Sequence, residues 1–146
     1  MARFEISDVD ILVGDLQDMI DDLPQLRDDI LKAEADVIQQ YMSQSVSNAG
    51  LVRSGVLRGS IRQRKRKDSI AVGPDGEHHR YTPSGNRPKA NGIVAAGYVG
   101  YIHNYGIPSR GIPAREWVEK AVEKGKGPAM DAAEKVYDDF LKKHDL

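Results

Sequence analysis

Apolar positions recur at steps of three and four over two adjacent N-terminal stretches. Leu12, Val13, Leu16, Met19, Ile20 and Leu23 form the first stripe, and Leu26, Ile30, Ala33, Val37, Ile38, Tyr41 and Met42 form the second. That spacing predicts amphipathic helix over residues 8–47, with Asp8 or Asp10 as the capping residue. Pro24 is expected to end the first helix and open the second, because its missing N–H costs nothing at a first helical position. Asn48-Ala49-Gly50 reads as a helix stop. Ahead of the helices, Phe4 and Ile6 alternate with charged neighbours, as in a short strand. At the other end, Pro113 is placed to open a helix whose apolar stripe is Trp117, Val118, Ala121 and Val122. Gly125-Lys126-Gly127-Pro128 is expected to interrupt it before a last helix carrying Ala129, Ala132, Ala133, Val136, Tyr137, Phe140 and Leu141, so residues 113–143 read as helical.

Between these ends the pattern changes. Eleven of the fourteen glycines fall between residues 50 and 111, a density that suits strands and turns. Ser60 to Lys67 and Ser69 to Gly73 read as strands of a hairpin turning near Lys67-Asp68. Pro74 to Ala90 is polar, carries three prolines and reads as an exposed loop. Asn91 to Gly97 reads as a further strand, and Tyr98 to Tyr105 as a short helical turn. Helices, then a small antiparallel sheet with a basic hairpin and long loop over 51–111, then helices, is an α+β layout in a single domain spanning 1–146.

A chain of 146 residues suits one domain. The absence of Cys removes disulfides, thiolate metal sites and Cys nucleophiles together. No apolar run approaches the length of a membrane span, and the N-terminus turns acidic at once, unlike a secretory signal. The formal net charge of −1 hides an asymmetry. Residues 1–47 carry three basic side chains against eleven acidic ones, 48–115 carry twelve against three, and 116–146 carry six against eight. The basic middle is expected either to face a polyanion or to complement the acidic helices within one subunit or between copies.

Catalytic constellations do not assemble. His78-His79 lies in the polar loop, with only Glu77 or Asp75 as further ligands, too few for a metal site. His144 sits in the terminal tail. His103, within Tyr101-Ile102-His103-Asn104-Tyr105-Gly106, reads as a hydrogen-bonded structural side chain; as a general base it lacks an orienting carboxylate at supporting spacing, Glu116 and Asp68 being the candidates. No glycine-rich loop has the ending that cradles phosphate. The expectation is a protein without enzymatic activity, cofactor or metal. The strongest physical signal is the basic run. Arg62, Arg64 and Arg66 fall on one face of a strand and Gln63, Lys65 and Lys67 on the other, so neither face is expected to be buried. The run is a candidate DNA-channel or subunit-interface element, or a solvated arm; its nucleic-acid contacts would be to phosphate and nonspecific.

Two stretches carry a family likeness. Tyr101-Ile102-His103-Asn104-Tyr105-Gly106, followed by Gly111-Ile112-Pro113-Ala114-Arg115, resembles the signature of phage virion-morphogenesis proteins: the tail-completion proteins of long-tailed phages and related neck proteins of Hong Kong-type lambdoid phages. Upstream, Gly50-Leu51-Val52-Arg53-Ser54-Gly55-Val56-Leu57-Arg58-Gly59-Ser60-Ile61 is similar to a Gly-x-Leu-Arg-x-Ser-Ile segment of that family. The likeness covers about residues 25–125. Glu116 and Trp117 stand where the family usually has Pro and Phe; Trp117 keeps the aromatic anchor, and Glu116 is expected in the first helical turn.

The resemblance implies a structural virion protein of the neck that links head connector and tail tube. It implies a homo-oligomeric ring of six copies that lines the DNA channel, is assembled in the host cytoplasm and touches passing DNA nonspecifically. Its partners would be the head connector or stopper and the tail terminator or tube proteins, with no membrane. His103, Asn104, Tyr105, Gly106, Pro113, Arg115 and Trp117 form its structural motif; read physically, they make a scaffold corner in which Arg115 needs a carboxylate or carbonyl partner. Ring contacts are expected to set an acidic helix of one copy against the hairpin residues Arg62, Arg64, Lys65, Arg66 and Lys67 of the next. The alternatives are a tail terminator in the same neck and a nonspecific DNA-binding accessory protein.

Overall fold

The computed structural model describes the backbone of residues 6–76, 79–81 and 93–146, and the side chains of 10–76 and 94–146. The order is α1 (Ile6–Asn48), α2 (Val56–Gly59), β1 (Ile61–Lys65), β2 (Ile70–Pro74), β3 (His79–Tyr81), β4 (Ile93–Ala95), α3 (Ala96–Tyr105) and α4 (Trp117–Lys143). The fold is α+β and mostly helical among the described residues, with N- and C-terminal helices around small antiparallel ladders.

One continuous helix of 43 residues replaces the two expected around Pro24. Proline removes one N–H and costs about 3 kcal/mol inside a helix. The apolar repeat nevertheless runs straight past it: Leu12, Leu16, Met19, Leu23, Leu26, Ile30, Ala33 and Val37 alternate steps of four and three, the seam spacing of a helix that packs along another helix. Within this chain every position of that repeat from Leu26 onward is at least partly covered. The helix ends where the sequence says. Gly50 takes φ 72°, Leu51 N–H reaches Val46 O at 3.0 Å and Gly50 N–H reaches Ser47 O at 3.0 Å, a Schellman closure.

The expected break at Gly125-Lys126-Gly127-Pro128 is also absent, since α4 runs unbroken for 27 residues. Gly125 serves close approach instead: a Cβ there would lie 3.1 Å from Ile38 Cδ1 and 3.2 Å from Tyr41 Cβ. α4 lies antiparallel on α1, its start hydrogen-bonded at Ser45 and its end ion-paired at Asp22. Val122 and Tyr137 from its predicted apolar stripe stay exposed. The core gathers at the C-terminal end of α1, where Met42 and Val46 meet Leu57, Ile61, Trp117 and Ala121.

β1 and β2 pair antiparallel from Ile61↔Pro74 to Lys65↔Ile70, and Arg66 N–H to Ser69 O at 2.8 Å closes the turn around Lys67-Asp68. Within the segment read as a loop, Pro74 belongs to β2 and His79–Tyr81 pairs with Ile93–Ala95. The strand expected over Asn91 to Gly97 is thus shorter, because Ala96 and Gly97 already belong to α3, a full helix of ten residues. The proposed Phe4–Ile6 strand falls mostly outside the described residues, and Ile6 opens α1. His78 and the side chain of His79 also lie outside them. Among the described residues no helix is long and apolar enough to cross a membrane.

Candidate functional site

Two constructions carry the residues singled out from the sequence, a corner between α3 and α4 and the basic hairpin. At the corner the chain must leave α3, turn and enter α4 within a few residues. Gly106 makes the exit: its φ is 72°, and a Cβ would stand 2.6 Å from both Ile112 O and Ala114 N, so any other residue collides with the returning strand. Ile107 and Ile112 then exchange backbone hydrogen bonds of 2.8 and 3.1 Å, closing a small loop over Pro108–Arg110 with Gly111 at φ 67°.

The return segment docks on the end of α3. Arg115 N–H donates to His103 O at 2.9 Å and Glu116 N–H to Asn104 O at 3.1 Å. Helix α4 therefore begins at Trp117, not at Pro113 as expected, because these amides are already committed to α3. Pro113 and Arg115 lie in the extended segment before the helix, and Glu116 is the cap residue rather than a member of the first turn. Glu116 is held at φ 49°, ψ 39° and makes no side-chain cap bond. Asn104 does that work from the neighbouring helix. Its Oδ1 accepts the Val118 N–H at 2.9 Å, and its Nδ2 donates to Glu119 Oε1 at 3.0 Å. Nothing in the linear pattern of Asn104 marks it as the cap of a helix thirteen residues further on; only the turn at Gly106 brings the two together.

Trp117 is 1% exposed and ties α4 to α3 and α1. Its Nε1 donates to Gly100 O at 3.0 Å, its carbonyl accepts Ser45 Oγ at 2.6 Å, and its ring fills the space where a Cβ on Gly100 would come within 3.1 Å. The Arg115 guanidinium donates to the Ala49 carbonyl at the end of α1, the carbonyl partner anticipated for it. Tyr105 is exposed and its ring centroid lies 4.8 Å from that of Tyr101. His103 borders a groove of about 300 Å³ shared with Arg53 and Arg115.

The hairpin splits as its alternation requires. Gln63 and Lys65 turn toward α1: Gln63 Nε2 donates to Asp36 at 2.6 Å and to Gln39 at 2.8 Å, and Lys65 Nζ meets Asp28 at 2.8 Å. This corrects the expectation that neither face is covered, since Gln63 is half-buried and Ile61, on the same side, is fully buried. On the opposite face Arg64 pairs with Asp75 at 3.0 Å. Arg27 reaches Asp68 in the turn at 3.4 Å. Among the described residues, no ion pair engages Arg62, Arg66 or Lys67, which stand exposed.

These contacts set the acids of α1. The Lys65 ammonium on Asp28 holds that carboxyl below the ordinary carboxylate value, with Arg27 adding to it. Asp36 is lowered by Lys32 and then Gln63. Asp22 is lowered chiefly by its hydrogen bond to Lys143. The corner offers packing, capping and carbonyl capture, all structural tasks. Among the described residues, no cluster of three His, Cys, Asp or Glu side chains could hold a metal ion. Set against known proteins, the chain matches no family model, no curated relative and no solved structure.

Proposed function

We propose that this chain is a structural subunit of a phage neck, of tail-completion type, which assembles into a ring between head connector and tail and lets DNA pass through its centre. The observation that carries the reading is the coincidence of motif and construction. The residues that resemble the virion-morphogenesis signature, His103 to Gly106 and Gly111 to Arg115, are the ones that build the α3–α4 corner, and Trp117 is its anchor. A second feature agrees with it. Along the first turns of α1, Ile11, Leu12, Val13, Leu16, Ile20 and Leu23 are 46–63% exposed, more apolar surface than one helix of a self-sufficient monomer normally shows to water. The role needs subunit complementarity and no covalent chemistry.

The test is electron microscopy of particles made when the gene carries an early stop codon. DNA-filled heads beside unattached tails are expected; intact, infectious particles overturn the reading. The exposed cations Arg62, Arg66 and Lys67 favour a second reading, nonspecific contact with DNA phosphates. It requires an affinity for any duplex that falls with salt, log K dropping by about 0.9 per phosphate contact per decade. Binding that ignores salt removes it.

A further inference from the structure

The seam of α1 is longer than the helix that covers it. α4 ends at Lys143, and Lys143 with His144 meets α1 at Asp22. From Leu26 onward the seam positions are partly covered, while Leu12, Leu16 and Leu23 are 52, 47 and 46% exposed. The part of α1 ahead of Asp22 therefore stands out as an arm of about 24 Å, at 1.5 Å per residue, with an apolar stripe that asks for a second surface.

Charge narrows what that surface is. Between Asp10 and Asp21 the arm carries Asp10, Asp15, Asp18 and Asp21 and no Lys or Arg. Two arms laid together would set these carboxylates side by side, which is unfavourable. The receiving surface must be apolar with a basic rim. One such surface lies at the far end of the same molecule. The groove of about 300 Å³ between the segment after α1 and the helix α3 has Leu51, Val56 and Val99 in its wall and Arg53 and Arg115 beside them, with no Asp or Glu among the described residues of its lining. Arg115 also borders a second groove, of about 420 Å³, whose described lining includes Lys120 and Lys124 and again no acid. A straight helix holds Leu16 about 50 Å from Asn48, so an arm cannot reach its own groove.

We propose that the N-terminal arm of α1 of one copy lies in the Arg53–Arg115 groove of a second copy, its apolar stripe on Leu51 and Val99 and its acidic flank, from Asp15, toward the two arginines. The contact is head-to-tail: each copy gives an arm and receives one, so copies close into a ring or run into a filament. This deepens the ring reading above by naming the contact that makes it, and it moves that contact away from the hairpin, where Lys65 and Arg64 are already paired within the chain.

The test uses the purified full chain and sedimentation velocity over a range of concentrations. Leu16→Ser with Ile20→Ser disables the arm, and Arg53→Glu disables the groove; all three positions are exposed, and far-UV circular dichroism verifies that each variant folds. The wild-type chain is expected to assemble with rising concentration, and each variant to need about tenfold more protein or beyond to do so. Mixing the two variants is the decisive arm. A copy with a sound groove and a copy with a sound arm make one contact and stop, so a 1:1 dimer is expected. A wild-type chain that stays monomeric, an arm variant that assembles normally, or a mixture that yields no dimer each overturns the proposal. No phage component is present, so failure here leaves the head–tail joining test untouched, and failure of that test leaves this contact standing.

Discussion

The α3–α4 corner and the arm of α1 are both helical and both supplied with large apolar side chains, yet they are built on opposite terms. At the corner the groups that hold it together are bonded inside the chain: the Trp117 indole to Gly100, the start of α4 to Asn104, the guanidinium of Arg115 to Ala49. Along the arm, Leu12, Leu16 and Ile20 touch water, and polar bonds such as Gln17 to Asp21 run only between neighbours on the same helix. The corner specifies the fold of one copy, whereas the exposed arm adds little to that fold and, in the proposal above, serves contact with a second copy.

Substitutions should therefore separate the two regions sharply. Trp117→Ala removes the largest fully buried side chain among the described residues and is expected to cost about 3–5 kcal/mol, measured by urea unfolding followed by circular dichroism; a loss under 1 kcal/mol would mean the corner is not the anchor of the fold. Asn104→Ala leaves the Val118 amide and the Glu119 carboxylate without their partner and is expected to cost about 1–3 kcal/mol. Asn104→Asp keeps the acceptor for Val118 and should recover part of that loss, provided the trans cap is the reason.

A smaller effect attaches to the hairpin's seat on α1. Asp28, Asp36 and Asp22 have native values below the ordinary carboxylate value of 3.8. Their contribution to stability is complete above that value and is lost as pH falls through the lowered native values. Lys65→Met should move the Asp28 titration, followed by carboxyl NMR, back up toward the ordinary range while Asp22 stays where it is. The smallest effect belongs to the arm. Leu16→Ser is expected to change monomer stability by no more than about 0.5 kcal/mol, and a loss of 2 kcal/mol would show that the arm is packed by its own chain after all.

Much of this was legible in the sequence, and the failures share a cause. The alternation of Arg62 to Lys67 located the hairpin, though not the seating of Gln63 and Lys65 on α1, and Asn48-Ala49-Gly50 located the end of α1, because both are local signals obeyed locally. Pro24 and Gly125 to Pro128 are also local signals, but neither stops its helix: the apolar repeat from Leu12 to Val37 keeps its phase across Pro24, and Gly125 lets α4 close on Ile38 and Tyr41. Pro113 misled for a related reason. A proline can open a helix, but the amides of Arg115 and Glu116 were already engaged by α3. The groove beside Arg53 and Arg115 left no mark in the linear pattern, since its walls come from segments far apart in the chain.

Pro24 has a mechanical consequence. Without its N–H, the carbonyl of Ile20 loses its intrahelical partner, and the rod is easiest to bend across that turn. The turn coincides with Asp22, where the last residues of α4 let go of α1. The molecule is thus a stiff handle joined to a lever by a compliant fulcrum, and in the ring proposed above a lever that yields would let identical parts fit around a circle whose angles they did not set.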